Sequence, residues 1–224
     1  MTSILPKWKR AARPLLLLLG LALLLGTGCR AAPVVVKIGL VAPFEGRYRP
    51  VGYDLIYSAR LAVREINGVG DADGVRLSLV ALDDGGDPQQ ARAVAAALVN
   101  DPQIMAVIGH WRPESTAAAR ELYEGAGLPF VATGSGSGAF APFAPDQLPP
   151  AFLQAYADLT PFAEVAGPYA APGYDAIYLL QAAIEAAADR GTIDRQSVGA
   201  ALGAVTIDGL TGFVALESTT GVEP

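Results

Sequence analysis

The groups in this sequence that could do chemistry gather in three places. "LDD" ends on Asp83-Asp84, "GHWRPEST" carries His110 and Ser115, and "TGSGSG" carries Thr133, Ser135 and Ser137. A hydrolytic serine needs a base beside it, and none of these hydroxyls has an evident one. The adjacent aspartates invite comparison with a phosphoacceptor site, but that chemistry also needs acidic groups on other strands, a lysine and a kinase. "GSGSG" has the glycines of a phosphate loop. It lacks the Gly-Lys-Ser/Thr that opens a helix and is followed by Ala-Phe-Ala-Pro. His110 is the sole histidine and Cys29 the sole cysteine, so no His-based metal cluster forms. His110 reads best as a structural hydrogen-bonding group at a strand end. Trp111, beside it, either stacks on a ligand or covers core or a partner surface. No catalytic residue, metal or cofactor follows from these groups. What remains is binding.

The elements that would position these groups follow from periodicity. "VVVKIGLVA" (Val34–Ala42), "RLSLVALDD" (Arg76–Asp84), "IMAVIG" (Ile104–Gly109) and "LPFVAT" (Leu128–Thr133) are apolar runs of strand length. Between them lie helical patterns at Tyr53–Asn67, at Asp87–Asp101 with Asp87 as cap and Pro88 in the first turn, and at Pro113–Gly127 with Gly127 closing. Strands alternating with helices, and apolar throughout, predict a doubly wound, three-layer α/β fold on a parallel sheet. Helices are then expected at "PAFLQAYADL", at Gly173–Gly191 and at Asp194–Val205, with a last strand within Thr211–Leu216. The Thr133–Pro150 stretch between these halves is longer than most connections in a compact domain.

Composition supports a packed, exported protein. Of 224 residues 52% are hydrophobic and 17% charged, unlike a disordered chain. A formal charge of −6, with no basic run past the N-terminus, argues against nucleic acid as a partner. Lys7, Lys9, Arg10 and Arg13 precede "PLLLLLGLALLLG", which is shorter than a bilayer span, so residues 1–28 read as a signal peptide. Their removal takes four basic residues and deepens the charge to −10. "GTGC" ending at Cys29 resembles a bacterial lipobox, although Gly26 stands where leucine is preferred. The resemblance implies lipidation of Cys29, attachment to the membrane through that anchor, and a tether over residues 29–35.

"KIGLVAPFEG", "SARLAVREIN", "DDGGDPQQA" and "VIGHWRPESTAAARELYEGAGLPFVAT" resemble the N-terminal lobe of type I periplasmic solute-binding proteins. The branch is the leucine/isoleucine/valine-binding group that serves ABC importers. "FLQAYADL", "GYDAIYLLQAAIEAA", "DRQSVGAAL" and "LTGFVALESTTG" are similar to its C-proximal block. That fold has two α/β lobes joined by crossing strands, with ligand in the cleft between them. Here the first block ends where the chain would cross to lobe two, and the next begins where it would return. The resemblance therefore implies one α/β lobe over residues 36–221, with 134–150 replacing the missing lobe.

In such sheets ligands sit beyond the carboxyl ends of the strands, at helix N-termini. The loops Phe44–Val51, His110–Ser115 and Thr133–Ser137 occupy that edge, and the candidate ligand residues are Tyr48, Val51, Trp111, Pro113, Glu114, Ser115, Thr133, Gly134, Ser135 and Gly136. The resemblance places a carboxylate-binding hydroxyl at Pro113, which has neither hydroxyl nor N–H. It places an Ala-Ala/Ser-Thr run at Gly134-Ser135-Gly136, where only Ser135 keeps a hydroxyl, and an aromatic at Val51. The expected function is that of an exported, non-enzymatic solute-binding lipoprotein with weak or altered binding of a small amino-acid-like ligand, working with an ABC permease. The alternative is an extracytoplasmic interaction module whose cleft face, with the apolar "AFAPFAP" and Trp111, meets a partner protein or a second copy in a homodimer.

Overall fold

The computed structural model describes residues 33–69, 74–134 and 140–216. The predicted signal peptide and Cys29 lie outside them, as do Ser135 and Gly136. Strand β1 (Val34–Ala42) is followed by a 3-10 turn (Gly46–Tyr48) and helix α1 (Arg49–Val69). Then come β2 (Val75–Asp83), α2 (Pro88–Asn100), β3 (Ile104–Ile108), α3 (Pro113–Gly125) and β4 (Phe130–Val131). A second 3-10 turn (Pro145–Gln147) leads to α4 (Pro150–Leu159), α5 (Ala170–Asp189), α6 (Arg195–Leu202), β5 (Thr206–Gly209) and β6 (Gly212–Ala215).

Strands β1–β4 form a parallel sheet in the order β2-β1-β3-β4. The chain starts in an inner strand, moves outward to β2, then crosses β1 to build β3 and β4. The reversal puts a topological switch point at the carboxyl ends of β1 and β3. One face of the sheet packs Ile38, Leu40 and Ile108 against Ala59 and Ala62 of α1, Ile177, Leu180 and Ile184 of α5, and Val198 of α6. The other packs Val41, Ile104 and Val107 against Ala95 and Leu98 of α2 and Ala119 and Tyr123 of α3. These are the three layers expected of strands that are apolar on both sides.

Local signals act where the sequence put them. Asp87 accepts hydrogen bonds from Gln89 N and Gln90 N, both at 2.9 Å, with Pro88 in the first turn of α2. After α3, Gly127 adopts φ +60°, and Gly127 N and Leu128 N donate to the carbonyls of Glu124 and Tyr123. Asp194 and Ser197 form a reciprocal capping box on α6.

Four expectations shift. Helix α1 begins at Arg49 rather than Tyr53, because Pro50 falls in the first turn, where no donor is required. Strand β4 shrinks to two residues: it is an edge strand, and Pro129 offers only its carbonyl, to Val107 N at 2.9 Å. The tether boundary after residue 35 falls inside β1, which begins at Val34. The two phenylalanines of "AFAPFAP" turn inward, while Pro142 and Ala144 are exposed. Phe140 is buried against the sheet's helix-covered face, Phe143 packs with Leu148, Phe152 and Tyr156, and Phe143 N donates to Pro168 O at 2.9 Å. Those rings are consumed by the core.

Candidate functional site

The carboxyl edge of the sheet is assembled from below. His110 is fully buried at the end of β3. Its Nδ1 lies 2.7 Å from Asp84 Oδ2 and its Nε2 lies 3.1 Å from the Tyr123 hydroxyl. Asp84 also accepts from Gly86 N, and burial, followed by the nearby Asp84 carboxylate, pushes the Tyr123 hydroxyl's pKa up. This chain ties the β2 and β3 loops to α3 and gives His110 the structural role the sequence favoured. Asp83 Oδ1 accepts from Phe44 N and Gly85 N, fastening the β1 loop to the β2 loop.

Above this base, rings close over the edge. Tyr48, from the β1 loop, lies 4.9 Å from Trp111, from the β3 loop. Trp111 meets Tyr169, at the start of α5, edge-on at 5.8 Å. Arg47 and Arg112 lie over the Tyr48 ring at 4.5 and 5.5 Å, the spacing of cation–π contacts. Arg112 donates to Gly86 O at 3.1 Å and pairs with Glu114 at 3.2 Å. Trp111 packs so closely on Gly134 that a Cβ there would come within 2.2 Å of the indole. Glycine is therefore required at 134 for the β3 and β4 loops to meet.

The candidate residues divide by position. Tyr48, Trp111 and Gly134 converge, and Ser115 and Thr133 lie fully buried at the adjoining strand and helix ends. Pro113 occupies the first position of α3 and is exposed; Glu114 is exposed and held by Arg112. Val51 is half-buried in the first turn of α1. Among the described residues, the buried side-chain polar atoms lacking a hydrogen-bond partner are Trp111 Nε1, Ser115 Oγ and Thr133 Oγ1. All three belong to the set read from the sequence. Buried polar atoms are normally satisfied, and three orphans at one sheet edge demand an explanation.

Sequence reasoning missed Tyr169 and the residue that places it. Asp54, buried in α1, accepts from Gly167 N at 3.0 Å and Tyr169 N at 3.1 Å. The "GPY" turn before the long helix hints at a bend there, but nothing local shows that its tyrosine returns to the β3 loop.

Among the described residues no group of acidic, histidine or cysteine side chains could hold a metal ion, and no helix is long and apolar enough to cross a membrane. Parallel topology and a switch point define a doubly wound α/β lobe with three unpaired polar side chains at its carboxyl edge. Comparison with known proteins agrees. The periplasmic binding protein family model matches residues 35–145. An amino acid binding protein of Pseudomonas aeruginosa is 35% identical over 127 residues, 57% of this chain and 34% of that protein. The Leu/Ile/Val-binding protein of Escherichia coli K12 is 39% identical over 93 residues, 42% of this chain and 25% of its own length. The structure of the branched-chain amino acid transporter substrate binding protein of Streptococcus pneumoniae, in complex with isoleucine, superposes with a TM-score of 0.68 at 16% identity. That match covers 82% of this chain and 92% of that one. Residues 35–145 belong to the periplasmic binding protein family, whose matched members are substrate-binding proteins. The chain spans about a third or less of the length of the curated relatives it matches.

Proposed function

We propose that this chain is an exported, lipid-anchored solute-binding protein of the ABC importer type, reduced to one lobe over residues 36–221. Residues 1–28 serve as its signal peptide, Cys29 carries the lipid, and segment 134–150 stands in place of a second lobe. The observation that carries the ligand-binding reading is the trio of orphaned donors, Trp111 Nε1, Ser115 Oγ and Thr133 Oγ1, at the switch-point edge. A ligand oxygen there would satisfy groups that the protein leaves unpaired. The relatives' names point to amino acids as the starting ligand class. A single lobe leaves one side of a ligand in water, so affinity is expected to be weak: each loss of about 1.4 kcal/mol costs a factor of ten.

Of the two tryptophans of the sequence Trp8 falls within the signal peptide, so Trp111 is the sole reporter in the mature protein. Titration of the mature protein with small carboxylates and amino acids is expected to change Trp111 emission with dissociation constants weaker than micromolar. Micromolar or tighter binding by the monomer would contradict a half-site, and no response to any ligand at millimolar concentration would refute ligand binding. The second reading, an interaction module, finds support in Phe162 and Val165, 85% and 86% exposed between α4 and α5. Light scattering showing a strict monomer, with no partner recovered after crosslinking in membranes, would remove it.

A further inference from the structure

Between α4 and α5 the chain holds two large apolar side chains out in water and fixes the loop that carries them. Phe162 and Val165 are almost wholly exposed. Thr160 Oγ1, at the start of the loop, donates to Ala157 O at 3.0 Å and accepts from Glu164 N at 2.7 Å. Ala163, between the two apolar residues, adopts φ +52°, a left-handed conformation uncommon for a residue with a Cβ. At the other end Asp54 of α1 accepts from Gly167 N at 3.0 Å, and Phe143 N donates to Pro168 O at 2.9 Å. A loop fixed in this way has little freedom left to lose on binding, and its apolar knob gains by leaving water.

Beside the knob lies a recess. A groove of about 230 Å³ runs along α1, lined by Phe44, Glu45, Tyr53, Ile56, Tyr57 and Arg60. Tyr57 meets Tyr156 of α4 edge-on at 6.3 Å just before the loop begins, and Asp54 fastens the loop's other end to the same helix. Knob and groove therefore share one flank of the lobe. Their charges are opposite. Glu164 stands in the loop, while Arg60 in the groove and Arg49, over the Tyr53 ring at 5.3 Å, outweigh Glu45. Neither Arg60 nor Glu164 has an ion pair among the described residues.

A knob and a matching recess on one face are what a two-fold interface requires, because each copy then offers both halves to the other. Resting on the interaction reading above, we propose that this flank is covered by a second copy of the chain. Phe162 and Val165 of each protomer seat in the α1 groove of its partner, and Glu164 pairs with Arg60 of the partner subunit. The interface is built from α1 and the α4–α5 loop rather than from the Trp111 edge. Knob and groove alone fall short of the roughly 1,200–2,000 Å² of a stable interface, so the dimer is expected to dissociate on dilution.

Sedimentation equilibrium reads this directly. The unlipidated mature protein is used under reducing conditions, so that neither lipid nor a Cys29 disulfide drives association. From micromolar to millimolar concentration it is expected to pass from monomer to dimer. Phe162→Ser, at a side chain already in water, is expected to leave the urea midpoint unchanged and to weaken the dimer at least tenfold. Arg60→Glu and Glu164→Arg are each expected to weaken it at least threefold, and Arg60→Glu/Glu164→Arg to restore it. A dimer that survives Phe162→Ser or either single reversal, or that the double reversal fails to restore, overturns this arrangement while the interaction reading stands. A strict monomer at millimolar concentration also overturns it. The interaction reading then needs a different partner, and falls as well if crosslinking in membranes recovers none.

Discussion

Thr116, near the start of α3, and Thr133, just after β4, make opposite use of the same hydroxyl. Thr116 Oγ1 donates to His110 O and Arg112 O, at 3.1 and 3.0 Å, bracing the turn that carries Trp111. Thr133 Oγ1 is buried and bonds to no described residue. A satisfied hydrogen bond contributes about 1 kcal/mol net, whereas an unsatisfied buried hydroxyl costs about 1–3 kcal/mol. Replacing each threonine by valine keeps shape and removes only the hydroxyl. Thr116→Val is expected to lower unfolding stability by about 1 kcal/mol. Thr133→Val is expected to leave ligand-free stability unchanged or raised while impairing binding. Urea unfolding of the two variants beside the wild type decides it, and equal destabilisation by both would show that Thr133 is bonded in solution. Trp111, Ser115 and Thr133 could be chosen from sequence because strand ends and helix starts mark the edge. Which of the ten candidates would be orphaned could not, since that depends on the bonds every neighbour makes elsewhere.

At the scale of elements, two pairs of contacts secure segments that packing alone leaves open. Strand β2 is an edge strand of nine residues, rich in leucine and valine, a type prone to pair with other chains. Asn67, near the end of α1, turns its carboxamide onto that edge. Its Nδ2 donates to Leu77 O and its Oδ1 accepts from Leu77 N, both at 2.9 Å. Asn67→Ala is expected to cost about 1–2 kcal/mol and to increase concentration-dependent association, read by urea unfolding and light scattering. Unchanged association would mean the edge is protected by twist or neighbouring side chains instead. The β5–β6 ribbon depends on Asp175 of α5, which accepts from Leu210 N, Thr211 N and Thr211 Oγ1 at 2.7–2.9 Å. In Asp175→Ala, amide exchange should accelerate in Thr206–Ala215 well beyond any change in β1 and β3. Uniform acceleration would show that the ribbon unfolds only with the whole lobe. Most elements were legible because each has its own period and caps: β1 and α4 match their predicted spans, and Asp87 and Asp194 cap as read. The ribbon's first strand was not, because "TIDG" has no apolar run. Its position comes from a buried aspartate more than thirty residues earlier in the chain.

For the whole molecule, the buried aspartates set how stability responds to pH. Burial pushes the carboxyls of Asp54 and Asp175 above the ordinary value, outweighing the backbone and threonine donors that favour their charge. In the unfolded chain an aspartate titrates near about 3.9. Between that value and the raised folded value, the native state holds more protons than the unfolded one. These two groups therefore make stability fall as pH rises through that window. Their favourable contribution is complete below the unfolded pKa and gone above the folded one. Asp101 and Asp194 act in the opposite sense: hydrogen bonds, led by those from Gln103 N and Ser197 N respectively, pull their carboxyls down. Their stabilisation is present above the unfolded pKa and lost as pH falls through the folded values. The combined profile mixes the two, so the test isolates one set. In Asp54→Asn/Asp175→Asn the buried groups no longer titrate, although some hydrogen bonds are weakened. Relative to wild type, the double variant should look worst near the unfolded value of about 3.9 and improve as pH rises through the raised folded values, in urea midpoints taken at each pH unit. A difference that stays constant with pH would mean that both carboxyls titrate as exposed ones do. In that case the junctions they hold, Tyr169 beside Trp111 and the ribbon on α5, are wetter than their burial implies.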